Sequence, residues 1–453
     1  MKKEEKNPTV KPELLGGFKD YLPETMIPRQ GIIAIIKKTY ESFGFLPLET
    51  PGMERSSVLG SDKNDFRMQV YRFKDNFGET GQDVTLRFDL TVPLSRVVAA
   101  YPNLVKPFKR YQLGSVWRKE KPQAGRFREF AQFDADIVGS DSILADSEII
   151  SLMYETMKNL GVINFVIRFN NRKILNGLPN VANFDEKRAA DVFQILDKLD
   201  KLGPEKVFEE LQLKPLSEFD KEALNLSDES VAKIREFLAI SGDLESVIEK
   251  LKTFFNGVAL AQEGIAECEQ IIENIKFLGI PQENWKFDLS VARGLGYYTG
   301  PVFETTLSEI PEMGSVFSGG RFDDLVMRFT GERVPAVGAS VGVDRLFAAL
   351  EKLGKIKKIQ SVSKVLLTII DERYAKDIIK MAQGLRNVGV NAEVFLGKDR
   401  SFKNQLAYAL KKEIPFMIIL GEEEKKQGMI KLKDLNRREE MLLTENEVID
   451  KLI

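Results

Sequence analysis

Histidine is absent from all 453 residues. Whatever chemistry the chain performs therefore uses no imidazole base, no Ser-His-Asp triad and no His-ligated zinc. Cysteine occurs once, as Cys268. That excludes disulfides within the chain and cysteine-rich metal sites, and it suits a reducing compartment. No segment reaches about 18 uninterrupted apolar residues, and the opening MKKEEKNPTVKPELL lacks the apolar core of a signal peptide, so a cytoplasmic location without membrane contact is expected. An excess of one charge is missing too: 66 basic against 68 acidic residues leave a net charge of −2. An RNA partner would have to be held by local patches rather than by bulk charge.

The length calls for two or three domains. Residues 27–43 read as an amphipathic helix, with Pro28 near its first turn and Gly44 as its stop. In VTLRFDL, Thr85, Arg87 and Asp89 alternate with Leu86, Phe88 and Leu90, the period of a strand, and Thr91 with Pro93 suits a helix start. Strands near 110–120 and 128–138 form a hairpin around KPQAGRF. On its second strand Arg128, Phe130, Gln132, Asp134 and Asp136 share one face. A solvated outer face and a charged floor beneath a ligand both give this pattern. Residues 173–279 are mostly helical, an inserted module without a cluster of reactive side chains. Strand character returns through WKFDLSVARGLGYYTGPVFETTL and SVFSGG, followed by the small residues of PAVGASVGVDRLF. Beyond a polar linker, strands and helices alternate to a last helix opened by the capping box Thr444 with Glu447, which predicts a small α/β domain.

These parts suit the joining of an amino acid to ATP. A carboxylate attacks the α-phosphorus, so two anions must be brought together while pyrophosphate charge is neutralised by arginines and Mg²⁺. The nucleophile is already ionised, and the missing imidazole base is no obstacle. The hairpin offers Arg118 for phosphate, Glu120 for the adenine amino group or a metal, Phe130 to stack on the base, and Arg126 in the loop. The small residues before Asp344 and Arg345 admit close backbone approach by a nucleotide, with Arg345 reaching its phosphates. Asp89, Thr91 and Gln132 supply acceptors for an ammonium.

FGFLPLETP (43–51), the 118–139 hairpin and VGASVGVDRL (337–346) together resemble the three signature motifs of class II aminoacyl-tRNA synthetases. RGLGYYTGPVFE (293–304), SGGRFDDL (318–325), LRFDLTVP (86–93) and GGFKDYLP (16–23) resemble segments of the histidyl-tRNA synthetases. The form of LRFDLTVP with FDADIVG is closer to the eukaryotic and alphaproteobacterial branch. The resemblance implies an α+β fold: an antiparallel sheet flanked by helices, with a helical insertion and a C-terminal α/β anticodon-binding domain. It implies a catalytic domain in two parts, 1–172 and 280–353, around the insertion 173–279, then a linker at 354–363 and the anticodon-binding domain at 364–453. It further implies that Asp89, Thr91 and Gln132 hold the α-ammonium of L-histidine, that Asp136 and Tyr298, beside Tyr297, meet its imidazole, and that Arg293 sits on the carboxylate and α-phosphate. Arg118, Glu120, Arg126, Phe130 and Arg345 would bind ATP, with Arg118, Arg293 and Arg345 catalytic. Lys398, Arg400, Lys403 and Gln405 would contact tRNA(His), and the enzyme would be a homodimer that needs Mg²⁺ but no zinc or other metal held by side chains. Gly296 departs from the pattern, standing where the family has aspartate. A non-catalytic relative, the regulatory subunit of ATP phosphoribosyltransferase, is the alternative, but it typically lacks the anticodon domain and parts of the ATP motifs.

Overall fold

The computed structural model describes residues 10–59, 70–74, 83–119, 127–196, 198–213, 224–292 and 296–453. They form two compact units, residues 1–19 with 33–353 and residues 20–32 with 354–453.

The first unit is built on an eight-stranded, mainly antiparallel sheet. Its strands in chain order are β1 (Leu46–Pro47), β5 (Phe108–Trp117), β6 (Glu129–Val138), β7 (Phe165–Asn171), β8 (Trp285–Phe287), β9 (Pro301–Leu307), β10 (Phe317–Arg321) and β11 (Ala336–Gly342). In space they run β1-β5-β6-β11-β10-β9-β7-β8. The short strands β2 (Met53–Arg55), β3 (Arg72–Lys74) and β4 (Asp83–Leu86) make a separate three-stranded sheet. The apolar side of β6 is sealed by aromatic packing: Tyr40, fully buried, meets Phe133 edge-on with ring centroids 5.0 Å apart, a geometry that contributes about 0.5–1.5 kcal/mol beyond burial alone. The helix Ile143–Asn159 starts where the Ser142 hydroxyl accepts the N–H of Leu144, and it buries Ile149, Ile150, Leu152, Met153 and Met157. Helix Val343–Lys352 packs against β6. The described residues between 172 and 277 are predominantly helical, and their last helix, Ala259–Phe277, packs on helix Ile143–Asn159 and on β7.

Three local expectations change. The first helix spans Pro23–Ser42 rather than 27–43, because the Leu22 carbonyl already accepts from Thr25 and Met26, which places Pro28 inside the helix. Strand β4 ends at Leu86, short of the expected Leu90. The Arg87 guanidinium is drawn inward onto the carbonyls of Thr50 and Ser115, at 2.6 and 2.8 Å, and the chain leaves the sheet there. Tyr297 lies in a turn and Tyr298 in the irregular segment after it, before β9 begins at Pro301.

In the second unit a five-stranded sheet runs β13-β12-β14-β15-β16, from β12 (Val365–Leu367), β13 (Ala392–Val394), β14 (Phe416–Ile419), β15 (Ile430–Asp434) and β16 (Glu439–Leu443). The first three are mutually parallel and the last two antiparallel. Strand β16 and the helix Glu422–Gln427 were not expected from the sequence. The final helix, Glu445–Leu452, has the expected capping box: Thr444 N–H donates to Glu447 at 2.7 Å, and the Thr444 hydroxyl accepts the Glu447 N–H. Among the described residues, no helix is long and apolar enough to cross a membrane.

Candidate active site

Register places the polar side chains of three central strands in rows. Arg110 on β5 lies opposite Asp136 on β6, which lies opposite Gly338 on β11. The next rows are Gln112, Asp134 and Ser340, then Gly114, Gln132 and Gly342. Since alternate residues of a strand share a face, all nine look to the same side of the sheet. On β10, Ser318 and Gly320 extend these rows. Arg110 is completely buried, and Asp134 and Asp136 are each only 2% exposed. The charged row is thus buried; the solvated-face reading of the alternation fails here.

Burial governs the charge of this face. It pushes Asp136 up to about 7 and Asp134 up to about 6, against the opposing pull of Arg110, and Asp89 adds to the upward push on both. Arg110 stands 2.8 Å from the Asp136 carboxylate and 4.0 Å from that of Asp134, and its other contact is a 3.0 Å hydrogen bond to the Leu90 carbonyl. Gln132 donates to the Ser340 hydroxyl at 2.9 Å, whereas its own amide oxygen, one Asp134 oxygen and the Asp136 oxygen beside Arg110 are buried with no hydrogen-bond partner. Buried acceptors left in this way cost about 1–3 kcal/mol each, and they are the mark of a face built to receive donors.

The ammonium candidates lie beside it. One Asp89 oxygen accepts the N–H of Val92 at 3.0 Å, and the other faces the Tyr297 hydroxyl at 3.5 Å. Burial, together with Tyr298 and Asp89, raises the Tyr297 phenol well above its ordinary value, so it stays a donor. Thr91 is buried at the start of the helix Thr91–Ala100. The ring of Tyr298 lies against Gly320, where an added Cβ would come within 2.9 Å of it. Tyr297 and Tyr298 pack edge-on to each other, centroids 5.0 Å apart.

At the hairpin, Arg118 donates to the Phe88 carbonyl at 3.2 Å and its guanidinium lies 4.2 Å from the Phe88 ring centroid and 5.1 Å from that of Phe130. Phe130, expected to stack on a base, thus also supports Arg118. Arg345 is steadied by the Ser315 carbonyl at 2.9 Å. Glu120, Arg126 and Arg293 lie outside the described residues. The small residues of β11 have a reason beyond nucleotide approach: Gly338 makes room for Asp136, whereas a Cβ on Gly342 would meet only ordinary contacts, with Arg345 Cβ at 3.8 Å and the Val316 carbonyl at 3.9 Å. Among the described residues, no group of three or more Asp, Glu or Cys side chains is placed to hold a metal ion.

Sequence reasoning did not single out Arg110, although its period-two spacing with Gln112 and Gly114 marks the polar face. It also gave Arg87 no role; a Cβ on Gly114 would stand 2.4 Å from that guanidinium.

In the second unit, Lys398 and Lys403 are exposed and Arg400 pairs with Glu372. Gln405 is corrected. It is completely buried, its amide donating to the carbonyls of Ile369 and Arg400 and accepting the Ile369 N–H, so it offers no surface to RNA.

The family profile for histidyl-tRNA synthetase matches residues 17–346, and that of the anticodon binding domain matches residues 364–453. The chain is 41% identical over 432 residues to a histidine–tRNA ligase of Wolinella succinogenes, covering 94% of each chain. It is 39% identical to one from Jannaschia sp. (strain CCS1), covering 96% of this chain and 92% of that one. The crystal structure of histidyl-tRNA synthetase from Nostoc sp. PCC 7120 superposes with a TM-score of 0.83 at 32% identity, covering 98% of this chain and all of that one. With most of its length matched by the family profile and by these relatives, the chain belongs to the histidyl-tRNA synthetase family.

Proposed function

We infer that the chain is a histidine–tRNA ligase, which activates L-histidine with ATP to histidyl-adenylate and pyrophosphate and then transfers histidine to the 3′ end of tRNA(His). The observation that carries this reading is the buried face of β5, β6 and β11, where Asp136, Asp134 and Gln132 present acceptors beside Asp89. A neutral imidazole offers one donor and one acceptor; Asp136 takes the N–H and the Tyr298 hydroxyl serves the other nitrogen. Asp89, Thr91 and Gln132 take the ammonium, and Tyr297 steadies Asp89 from behind.

The histidine carboxylate is the nucleophile and needs no base. Arg293 meets it and the α-phosphate, where negative charge accumulates as the new P–O bond forms and pyrophosphate departs. ATP enters as its Mg²⁺ complex, held by Arg118, Glu120, Arg126 and Arg345, with its base on Phe130. Asp344 couples the two nucleotide-binding elements: its carboxylate accepts the Ala131 N–H at 2.7 Å, joining helix Val343–Lys352 to β6. In this reading residues 1–172 and 280–353 are the catalytic domain, 173–279 an insertion, 354–363 a linker, and 364–453 grips tRNA with Lys398, Arg400 and Lys403. Residues 43–51 lie at the interface of a homodimer.

Charging of a tRNA(His) transcript with labelled histidine tests the complete reaction. Esterified histidine at the 3′ end supports it; failure with a transcript that a related histidine–tRNA ligase charges contradicts it.

A further inference from the structure

We propose that Arg110 is a positioning residue for histidine recognition, its guanidinium joining the Asp136 carboxylate to the Leu90 carbonyl so that one buried cation sets both ends of the amino-acid site. The proposal rests on the reading of this face as the histidine site. Leu90 lies between Asp89 and Thr91, the residues assigned to the ammonium, and Asp136 is the residue assigned to the imidazole. Arg110 thus connects two recognition elements that lie on different segments of the chain.

The charge balance explains why a cation is required. Asp134 and Asp136 are buried on one strand two residues apart, with Asp89 close by. Three carboxylates in so little water repel one another, and burial already favours their neutral forms. A protonated Asp136 gives up its charge and becomes a weaker acceptor of an imidazole N–H. Among the described residues, the groups that face this cluster are Arg110 on β5, Arg87 after β4, Arg118 at the hairpin, Tyr40 on the helix Pro23–Ser42, and Tyr297. Arg110 is the cation in contact with Asp136, at 2.8 Å, and two of its nitrogens, Nε and Nη1, have no hydrogen-bond partner. A cation held only to pack the core would be expected to satisfy its own donors first.

The test uses the full chain without a tag, because a chain with no histidine contributes no imidazole background. Histidine-dependent ATP–pyrophosphate exchange is measured across neutral pH for R110M, R110K, R110M/D134N and D136N, together with the ¹⁵N spectrum of bound ring-labelled histidine. For R110M the KM for histidine rises roughly 10- to 100-fold while that for ATP stays within about threefold, as for weakening, through a displaced Asp136, of a charged hydrogen bond to one substrate. The pH midpoint of histidine binding moves upward, and the ¹⁵N shift that marks the N–H donated to Asp136 is lost. Removing the second carboxylate in R110M/D134N restores part of the affinity, and R110K falls between R110M and the native chain. If R110M does not fold, R110M/D134N and R110K carry the test, each with a raised KM for histidine. A native KM and pH midpoint in the folded Arg110 variants, or an equal rise for ATP, overturns the proposal. D136N separates the two levels: a native histidine KM there overturns the histidine site itself, whereas a defective D136N beside silent Arg110 variants overturns only the role of Arg110.

Discussion

A Cβ on Gly338 would stand 2.0 Å from an oxygen of Asp136, its cross-strand neighbour. The absent side chain of one strand is therefore the space occupied by the carboxylate of the next, the one proposed to meet the imidazole. Gly338→Ala forces Asp136 off its position, and the expected result is a KM for histidine raised roughly 10- to 100-fold, with the KM for ATP little changed. Equal losses for both substrates in exchange kinetics would show that the glycine serves the sheet as a whole.

The pH dependence follows from Asp136. Burial pushes its carboxyl up to about 7, and the ionised form is the much stronger acceptor of an imidazole N–H, so histidine affinity is expected to fall as pH drops through that value. Protonation of the free substrate, with an imidazole pKa of about 6.5, adds to the fall from below. The chain itself has no histidine to confuse the profile. Stability runs the other way. A folded pKa above the unfolded value of about 3.9 gives a contribution that is full below that value and is lost as pH rises through the folded pKa. The Tm of Asp136→Asn relative to the native chain is therefore expected to rise as pH increases through the folded pKa, on top of a pH-independent cost of leaving Arg110 without its 2.8 Å partner. Calorimetry showing a difference independent of pH would refute this assignment.

Arg321 holds a network outside the substrate site. It is 3% exposed and binds the fully buried Asp146 through Nε, at 3.1 and 3.2 Å to the two oxygens, and through Nη2; it also donates to the carbonyls of Ser140 and Ser142. Arg321→Met leaves Asp146 buried and uncompensated, and the expected cost is about 3–5 kcal/mol. Substituting both residues by apolar side chains recovers much of that loss. Denaturant titration of the single and double variants checks both statements; additive losses would mean that the pair is not coupled.

In the proposed mechanism Arg293 is the donor for the charge that develops on the α-phosphate, and Arg293→Ala removes it. Activation is expected to slow roughly 10²- to 10³-fold, as for loss of one transition-state donor, with histidine still bound. Near-normal single-turnover rates for adenylate formation would take Arg293 out of the mechanism.

The hairpin was legible because a period-two alternation, a Pro- and Gly-bearing loop and paired lengths agree on β5 and β6. The last helix was legible because Thr444 and Glu447 carry a local signal that needs no tertiary context. What escaped depends on packing. Alternation placed Asp134 and Asp136 on a common face but did not reveal that the face is buried, which follows from the neighbouring strands and the elements laid over them. Gln405 sits in the basic, solvent-facing start of a helix in sequence, yet its position one turn in points it to the backbone of Ile369, just beyond β12. Strand β4 stops early because Arg87 finds three carbonyls from distant segments, Thr50, Pro51 and Ser115, a long-range event invisible to local periodicity. Arg110 was passed over for the same reason: an arginine in a strand acquires meaning only when the register sets it opposite Asp136.

The most direct measurement of the central claim is ATP–pyrophosphate exchange with each amino acid supplied separately. Exchange driven by histidine alone is the predicted result; exchange driven by any other amino acid, or by none, would contradict it.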